Sequence, residues 1–394
     1  MSGPLRILYH HRTRADDGQA VHVRELIGAL RGLGHEVREC ALVQKSARPT
    51  AAPRQRAGLW RRLRLPRAAT EVLEVLYNGT ARRMLREAAR ELKPHFVYER
   101  HALHCRAGLD IARELGVPLL LEVNSPMVEE MQRLGSLRLP ARAARTEREV
   151  LGGADAVLAV SRVLADRLIA AGARADRLRV IKNAADPGRY GDEARRAAAA
   201  VRERLRVPAG AFVLGFVGFM RPWHRLDLVL DVMARPGLES VVLVLMGRGP
   251  ALEPLLQQAA KMGLSQRVLA VGEVPGELLP AHVLACDGAL IPAINDYASP
   301  LKLFDSLAAG VPTLAPDQPN LREVVQDGET ALLFAPCSAN DLARQLRRLL
   351  DDRSFARRIG EAGRAALLHN DWTWSGNARA VVAAYEALRA GVRP

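Results

Sequence analysis

At 394 residues the chain is too long for one small core, and two domains are the natural expectation. Its 49% hydrophobic and 4% aromatic content, with no apolar run long enough to span a bilayer, suits a soluble α/β protein. The formal charge of +14 invites a nucleic-acid hypothesis, but lysine occurs only at 45, 93, 182, 261 and 302 and arginine carries the rest, with no recognised nucleic-acid module.

The N-terminus enters a strand almost at once, over 5–9, which leaves no room for a secretory signal and predicts a cytoplasmic location. Asp16-Asp17-Gly18-Gln19 reads as a turn. A helix with Val21, Leu26, Ile27 and Leu30 on its apolar side follows, and Gly32 and Gly34 end it before a second strand over 35–42. Such a βαβ opening places the loop from His10 to Gln19 at the carboxyl end of a strand, where open α/β sheets bind ligands. The loop lacks GxGxxG spacing, which argues against a dinucleotide oxidoreductase. Between Lys45 and Arg67 lie Arg48, Arg54, Arg56, Arg61, Arg62 and Arg64, interleaved with Trp60, Leu63 and Leu65 and free of acidic residues. That pattern fits a segment against anionic lipid headgroups or a pyrophosphate-bearing acceptor, and fits a merely solvated connection equally well.

Strands are expected at 95–99, at 117–123 (ending at Glu122-Val123-Asn124), at 155–160 and at 178–181. Helices are expected at 107–115, 141–151 and 162–170, the last capped by Ser161. A polar Ala/Arg-rich stretch over 188–210 makes the best boundary, giving an N-terminal domain over 1–187 and a second over 188–372, with a last helix from 373 packing back on the first. The alternation then repeats. Strands fall at 211–218, 241–246, 267–271, 288–291, 311–315 and 331–334, with helices at 226–234, 252–262, 339–350, 354–368 and 374–390. The architecture these alternations support is two Rossmann-like doubly wound domains facing across a cleft. Cys40, Cys105, Cys286 and Cys337 have no metal-like spacing and read as reduced thiols, so no metal site is expected.

The stretch 293–316, AINDYASPLKLFDSLAAGVPTLAP, carries the most chemistry. Ser299 is a good N-cap, Pro300 suits the first helical position, and Gly310 stops the helix. Leu301 and Lys302 then offer free N–H groups at a positive dipole end. A lysine there opposes the dipole unless an anion occupies the site. Asp305 shares its face three residues on. An anion clamp beside a carboxylate suits a phosphorylated, hydroxyl-rich ligand such as a nucleotide sugar. The spacing is equally compatible with an ordinary capped helix and an internal Lys302–Asp305 pair.

Taken in order, DGQAVHVRELIGALRGLGHEV, AVSRVLADRL, VIKNAADPGRY, LGFVGFMRPWHRLDLVLD, LVLMGRGPALEPL, ASPLKLFDSLAAGVPTLA and DWTWSGNARAVVAAYEAL resemble the family 4 glycosyltransferases of the B-type fold. The resemblance runs nearly end to end. It implies a retaining, metal-independent hexosyltransferase using a UDP- or GDP-linked nucleotide-diphosphate sugar, with no further cofactor. It implies diphosphate contacts from Gly18, Arg221, His224, Ser299, Pro300, Leu301 and Lys302, and a ribose contact from Asp305. Three positions depart from the pattern. The first glutamate of the family's pair falls at Tyr297, the usual lysine and glycine of the donor loop fall at His224 and Arg225, and an acceptor-domain histidine falls at Asn124. Glu122 and Asn124 are the remaining catalytic candidates, His10, His11, Gln19 and His101 are acceptor-side candidates, and His104 is a further polar group near a strand end. The implied acceptor is a glycan or lipid-linked hydroxyl in cell-surface polysaccharide synthesis, with peripheral attachment to the inner membrane face through Lys45 to Arg67. The alternatives are a soluble small-molecule acceptor and, from charge alone, a non-catalytic polyanion binder.

Overall fold

The computed structural model describes residues 3–13, 18–41 and 67–391. Most of the arginine-rich stretch from Lys45 and the turn residues Asp16 and Asp17 therefore lie outside the described residues. The chain divides into two compact units, Met1–Ile181 with Ala378–Pro394, and Lys182–Asn377. The first division thus falls at Lys182, ahead of the polar stretch over 188–210.

The first unit contains β1 (Arg6–His11), α1 (Gly18–Gly32), β2 (Glu36–Ala41), α2 (Arg67–Leu92), β3 (Phe96–Arg100), α3 (Ala107–Leu115) and β4 (Leu119–Val123). It continues with α4 (Met127–Arg133), α5 (Pro140–Gly153), β5 (Ala156–Ala159), α6 (Arg162–Ala171) and β6 (Leu178–Val180). All its strand pairs are parallel, in the order β2-β1-β3-β4-β5-β6. β3, β4 and β5 are buried at every position, as expected of parallel strands covered by helices on both faces.

The 26-residue α2 was not anticipated. Its buried positions are Glu71, Tyr77, Asn78, Ala81, Leu85, Ala89 and Leu92, whereas Val72, Leu73 and Leu76 face solvent. The inward stripe is thus partly small and polar, and the helical period is not written in apolar residues. Glu71 is buried for a reason: its carboxylate accepts the backbone N–H groups of Arg138 and Leu139, immediately ahead of α5. An anion at that helix start is favoured by the exposed amides and the dipole.

The second unit contains α7 (Asp192–Arg204), β7 (Phe212–Val217), α8 (Leu226–Met233), β8 (Val241–Met246), α9 (Leu252–Lys261), β9 (Val268–Gly272), α10 (Leu279–Leu284) and β10 (Gly288–Leu290). There follow α11 (Leu301–Ala309), β11 (Thr313–Pro316), α12 (Pro319–Arg322), β12 (Leu332–Phe334), α13 (Ala339–Asp351) and α14 (Arg353–His369). The last helix, α15 (Trp374–Arg389), begins in this unit and passes into the first, where Tyr385 stacks on Phe96 with ring centroids 4.8 Å apart.

The second sheet is also parallel, in the order β12-β11-β10-β7-β8-β9. Strand order reverses between β7 and β10, so the crossovers leave those two strands in opposite directions. A crevice at their carboxyl ends is the structural result. In the first sheet the same reversal lies between β1 and β3.

The two loops beside the β7 end are locked together through backbone. Gly218 N donates to Met246 O at 2.9 Å, Met220 N to Arg248 O at 2.7 Å, and Ala251 N to Met220 O at 3.1 Å. The approach is too close for side chains: a Cβ on Gly249, whose φ is +151°, would lie 2.2 Å from Met220 O. Gly249→Ala should therefore destabilise the second unit by about 2–3 kcal/mol, read as a lower urea midpoint. An unchanged midpoint would show that the two loops are not held this closely.

Candidate functional site

The site in the second unit forms where β7 and β10 diverge. α11 is held by its apolar side: Leu303, Phe304, Leu307 and Ala308 are buried in a cluster with Tyr190, Leu333 and Leu367. Burial of each large side chain there contributes about 1.5–3 kcal/mol. Gly310 ends the helix in the left-handed conformation (φ +71°), as its sequence position implied.

At its start the helix differs from expectation by one residue. Pro300 is the N-cap, with φ −75° and ψ 123°, and no side chain caps it. Ser299 is not the cap, because its Oγ accepts the Asn183 backbone N–H at 3.0 Å and its carbonyl accepts the Asn183 side-chain amide. Ser299 and Pro300 are buried. They position the helix start, while the N–H groups of Leu301 and Lys302 find no acceptor among the described residues.

Lys302 lies half-buried, with Nζ 4.0 Å from the centre of the Phe216 ring on β7. A Cβ on Gly218 would stand 3.3 Å from that ammonium, so the glycine leaves it room. No carboxylate pairs with Lys302 among the described residues. Burial alone pushes its pKa down to about 7. Three residues on, Asp305 Oδ1 accepts the Tyr190 hydroxyl at 2.7 Å, which orients the carboxylate.

The loop after β7 brings the remaining basic groups. His224 is buried, and its Nδ1 accepts the Arg221 backbone N–H at 3.1 Å, so the neutral ring carries its proton on Nε2. Burial, followed by the nearby positive charges of Lys302 and Arg221, lowers its pKa to about 3. His224 is thus a neutral hydrogen-bond donor rather than a cation. Arg221 is exposed and lies over the Phe219 ring at 5.1 Å. Arg225 stands at φ +54°, the left-handed region that suits glycine, so the donor loop keeps a glycine-like backbone at this position with another residue in place. Its guanidinium is held by Asp227 at 3.0–3.1 Å. Tyr297 is buried, with its hydroxyl accepting from Asn295 at 2.9 Å, and it offers no carboxylate.

The first unit holds the other sequence candidates, mostly in buried pairs. Gly18 and Gln19 open α1 and are exposed. His10 Nδ1 lies 2.6 Å from Glu99 Oε2, and its Nε2 lies 3.1 Å from the Tyr77 hydroxyl. His11 pairs with Glu39 at 3.0 Å and His104 with Glu71 at 3.3 Å, while His101 lies 3.5 Å from Glu147. His10 and His11 are fully engaged inside the unit and are not offered to an acceptor. Among the described residues the one grouping with metal-like composition is His10, Glu99 and Cys105. Burial, then the Glu99 charge, pushes the Cys105 thiol well up, so in the absence of a bound cation it is protonated. Cys40, Cys105 and Cys286 are buried free thiols and Cys337 is exposed.

Of the two catalytic candidates, Glu122 lies in a buried ionic cluster and Asn124 is half-buried beside it. Glu122 is 3% exposed. Its carboxylate takes the Tyr98 hydroxyl at 2.6 Å, lies 3.1 Å from His22 Nε2, and is bound by Arg100 and by the Asn124 amide. Burial acts to raise its pKa, but His22 and Arg100, with hydrogen bonds from His22 and Tyr98, hold it well below the usual carboxylate range. Asn183 and Tyr190, which fix α11, were missed by sequence reasoning. No local signal marks them, because their partners lie 116 and 115 residues away.

Family models match most of the chain: "Glycosyltransferase Family 4" over residues 17–189 and "Glycosyl transferases group 1" over 198–366. The chain belongs to glycosyltransferase family 4 and is a glycosyltransferase of the B-type fold. It is 29% identical over 320 residues to a D-inositol 3-phosphate glycosyltransferase of Nocardia farcinica, covering 77% of this chain and 69% of the relative. It is 29% identical over 257 residues to the 2-deoxystreptamine glucosyltransferase of Streptomyces kanamyceticus, covering 62% of this chain and 65% of that one. Among solved structures, the sucrose-phosphate synthase of Thermosynechococcus elongatus superposes with a TM-score of 0.77 at 20% identity, covering 98% of this chain and 99% of that one. Anabaena Alr3699/HepE in complex with UDP superposes with a TM-score of 0.71 at 17% identity, covering 97% and 100%. These two likenesses establish the fold.

Glu122→Gln should cost the first unit about 3–5 kcal/mol at pH 7, because Arg100 would be left buried beside a neutral amide. The folded pKa lies below the unfolded value of about 4.3, so the contribution is whole above that pH and is lost as pH falls through the folded value. Urea midpoints of wild type and variant should therefore differ widely at pH 7, begin to converge only below about pH 4, and approach each other as pH falls toward the folded value. Equal midpoints at pH 7 would contradict this role.

Proposed function

We propose that the protein transfers a hexose from a nucleotide-diphosphate sugar, UDP- or GDP-linked, to an acceptor hydroxyl with retention of anomeric configuration and without a metal ion. The supporting observation is the start of α11: two amides and an ammonium that have no acceptor or carboxylate partner among the described residues, at the point where β7 and β10 part. Anabaena Alr3699/HepE, which shares the fold, forms complexes with UDP and UDP-glucose, which supports a nucleotide-sugar donor.

In such a transfer the glycosidic bond to the leaving diphosphate breaks as the acceptor oxygen bonds to the same carbon; charge accumulates on the departing phosphate, whose oxygen would take the proton the acceptor hydroxyl gives up. The Leu301 and Lys302 amides, the Lys302 ammonium and the His224 Nε2–H would stabilise that charge, with Arg221 at the rim. Together they would fill the part a divalent cation takes in other phosphate-transfer sites. Asp305, oriented by Tyr190, would accept the ribose hydroxyls. The diphosphate in turn would return Lys302 to its charged form, since the neighbouring anion offsets the desolvation that lowers its pKa.

For the acceptor, the names of the relatives support a small polyol or aminocyclitol. A lipid-linked glycan remains the second reading, favoured by the solvent-facing Val72, Leu73 and Leu76 of α2. No helix among the described residues is long and apolar enough to cross a membrane, so membrane contact on this reading would be peripheral. Localisation at the inner face of the cell membrane belongs to that second reading.

Lys302→Ala should lower donor-saturated turnover by about 10²–10³, equivalent to about 2–4 kcal/mol of transition-state stabilisation, with activity unaffected by EDTA and the product anomer matching the donor by NMR. Unchanged turnover in the variant would overturn the assignment of Lys302. Loss of activity on chelation would overturn metal independence.

A further inference from the structure

The first unit contains a cavity of about 380 Å³ between α2, α3 and α5, beneath the loop that follows β3. Arg82, Arg106, Arg142, Asp110, His104 and Leu76 are among its lining residues. Three guanidiniums face one carboxylate. Asp110 is already shared, by Arg82 at 3.1 Å and by Arg106 at 3.0 Å, and Arg106 also holds Glu149 at 2.7 Å. Arg142 makes no ion pair among the described residues, so the wall carries an uncompensated positive charge.

The wall is also built rather than incidental. His104 stands at φ +60°, and its carbonyl accepts the Asn78 amide at 2.8 Å while Asn78 Oδ1 accepts the Arg106 N–H at 2.8 Å. The His104 ring is wholly buried, with Nε2 beside Glu71 and with Nδ1 lacking a hydrogen-bond partner among the described residues. At the rim Leu76 is 64% exposed, next to the exposed Leu73 and Val72 on the outer face of α2.

We propose that this cavity is a subsite for a phosphate ester, held chiefly by Arg142 with Arg106 and Arg82 supporting it. A tetrahedral dianion matches forked guanidinium donors better than a neutral sugar does, and it satisfies the one arginine left without a counter-charge. Taken with the proposed glycosyl transfer, on which this part rests, the subsite would select acceptors that carry a phosphate over cationic aminocyclitols. The same chemistry is presented by a soluble sugar or cyclitol phosphate and by a phospholipid headgroup. The apolar rim at Leu76 is compatible with the second source.

The test is direct binding to the full-length protein without donor. Calorimetric titrations would use D-inositol 3-phosphate, glucose 6-phosphate and inorganic phosphate against the corresponding unphosphorylated polyols, and sedimentation would use phosphatidylglycerol and phosphatidylcholine vesicles. Phosphate-dependent binding of either the soluble esters or the anionic vesicles supports the subsite and identifies its source. It should weaken about ten- to a hundredfold in Arg142→Glu, less in Arg142→Lys, because one charge-assisted contact is lost or kept. Arg142 is exposed and holds nothing in place, so the variants should fold, as an unchanged melting temperature would verify. UDP binding measured in parallel reads the donor site alone. If UDP binds and no phosphate ester or anionic vesicle does, or if Arg142→Glu binds them as wild type does, the subsite is wrong while the transferase reading stands.

Discussion

A single uncompensated cation governs the donor-side arrangement. Lys302 is carried into a half-buried position over Phe216, with no carboxylate partner among the described residues and beside a histidine that its own field helps to keep neutral. Desolvating an ammonium in this way is unfavourable unless a ligand repays it. The surrounding structure enforces it nonetheless. Apolar packing fixes the inner face of α11, Asn183 fixes the residue before its cap, and Gly218 leaves space at the end of β7.

The sheet supplies the reason that such a site exists at this point. Parallel strands with crossovers on both faces leave a gap only where the winding reverses, and in the second unit the reversal is between β7 and β10. The loop after β7 brings Arg221 and His224, and the loop after β10 leads into α11, so the two basic contributions arrive from opposite sides of the gap. The first unit treats its charges differently. Glu122, Glu99 and Glu71 are each buried and each held by named donors, which makes them determinants of fold, whereas the arginine-walled cavity has an arginine without a counter-charge among the described residues.

Much of this was legible in the sequence, for identifiable reasons. β7 and β8 are apolar runs because both of their faces are covered, and α11 announces itself through Ser-Pro before it and Gly310 after it. Lys302 stood out because a cation in a first helical turn contradicts the dipole. What could not be read follows from distance or from inverted patterning. α2 hides because its inward stripe includes Glu71, Asn78, Ala81 and Ala89 while leucines face outward. Glu122 looked available at a strand end because its partners, residues 22, 98 and 100, come from other elements. Ser299 looked like a cap because nothing nearby in sequence shows that Asn183 claims its hydroxyl. Arg225 looked like a departure from the family pattern, yet its backbone keeps the left-handed conformation a glycine would supply.

The most direct measurement is proton linkage on nucleotide binding. UDP and GDP would be titrated calorimetrically into the protein at pH 8 in buffers of different ionisation enthalpy. With Lys302 near pKa 7 when unliganded, the binding nucleotide should draw in up to about one proton per site at pH 8, less at pH 6, and none in Lys302→Met. Binding heats that are independent of buffer at pH 8 would mean that the diphosphate does not meet this ammonium, and the account of the donor site would fail.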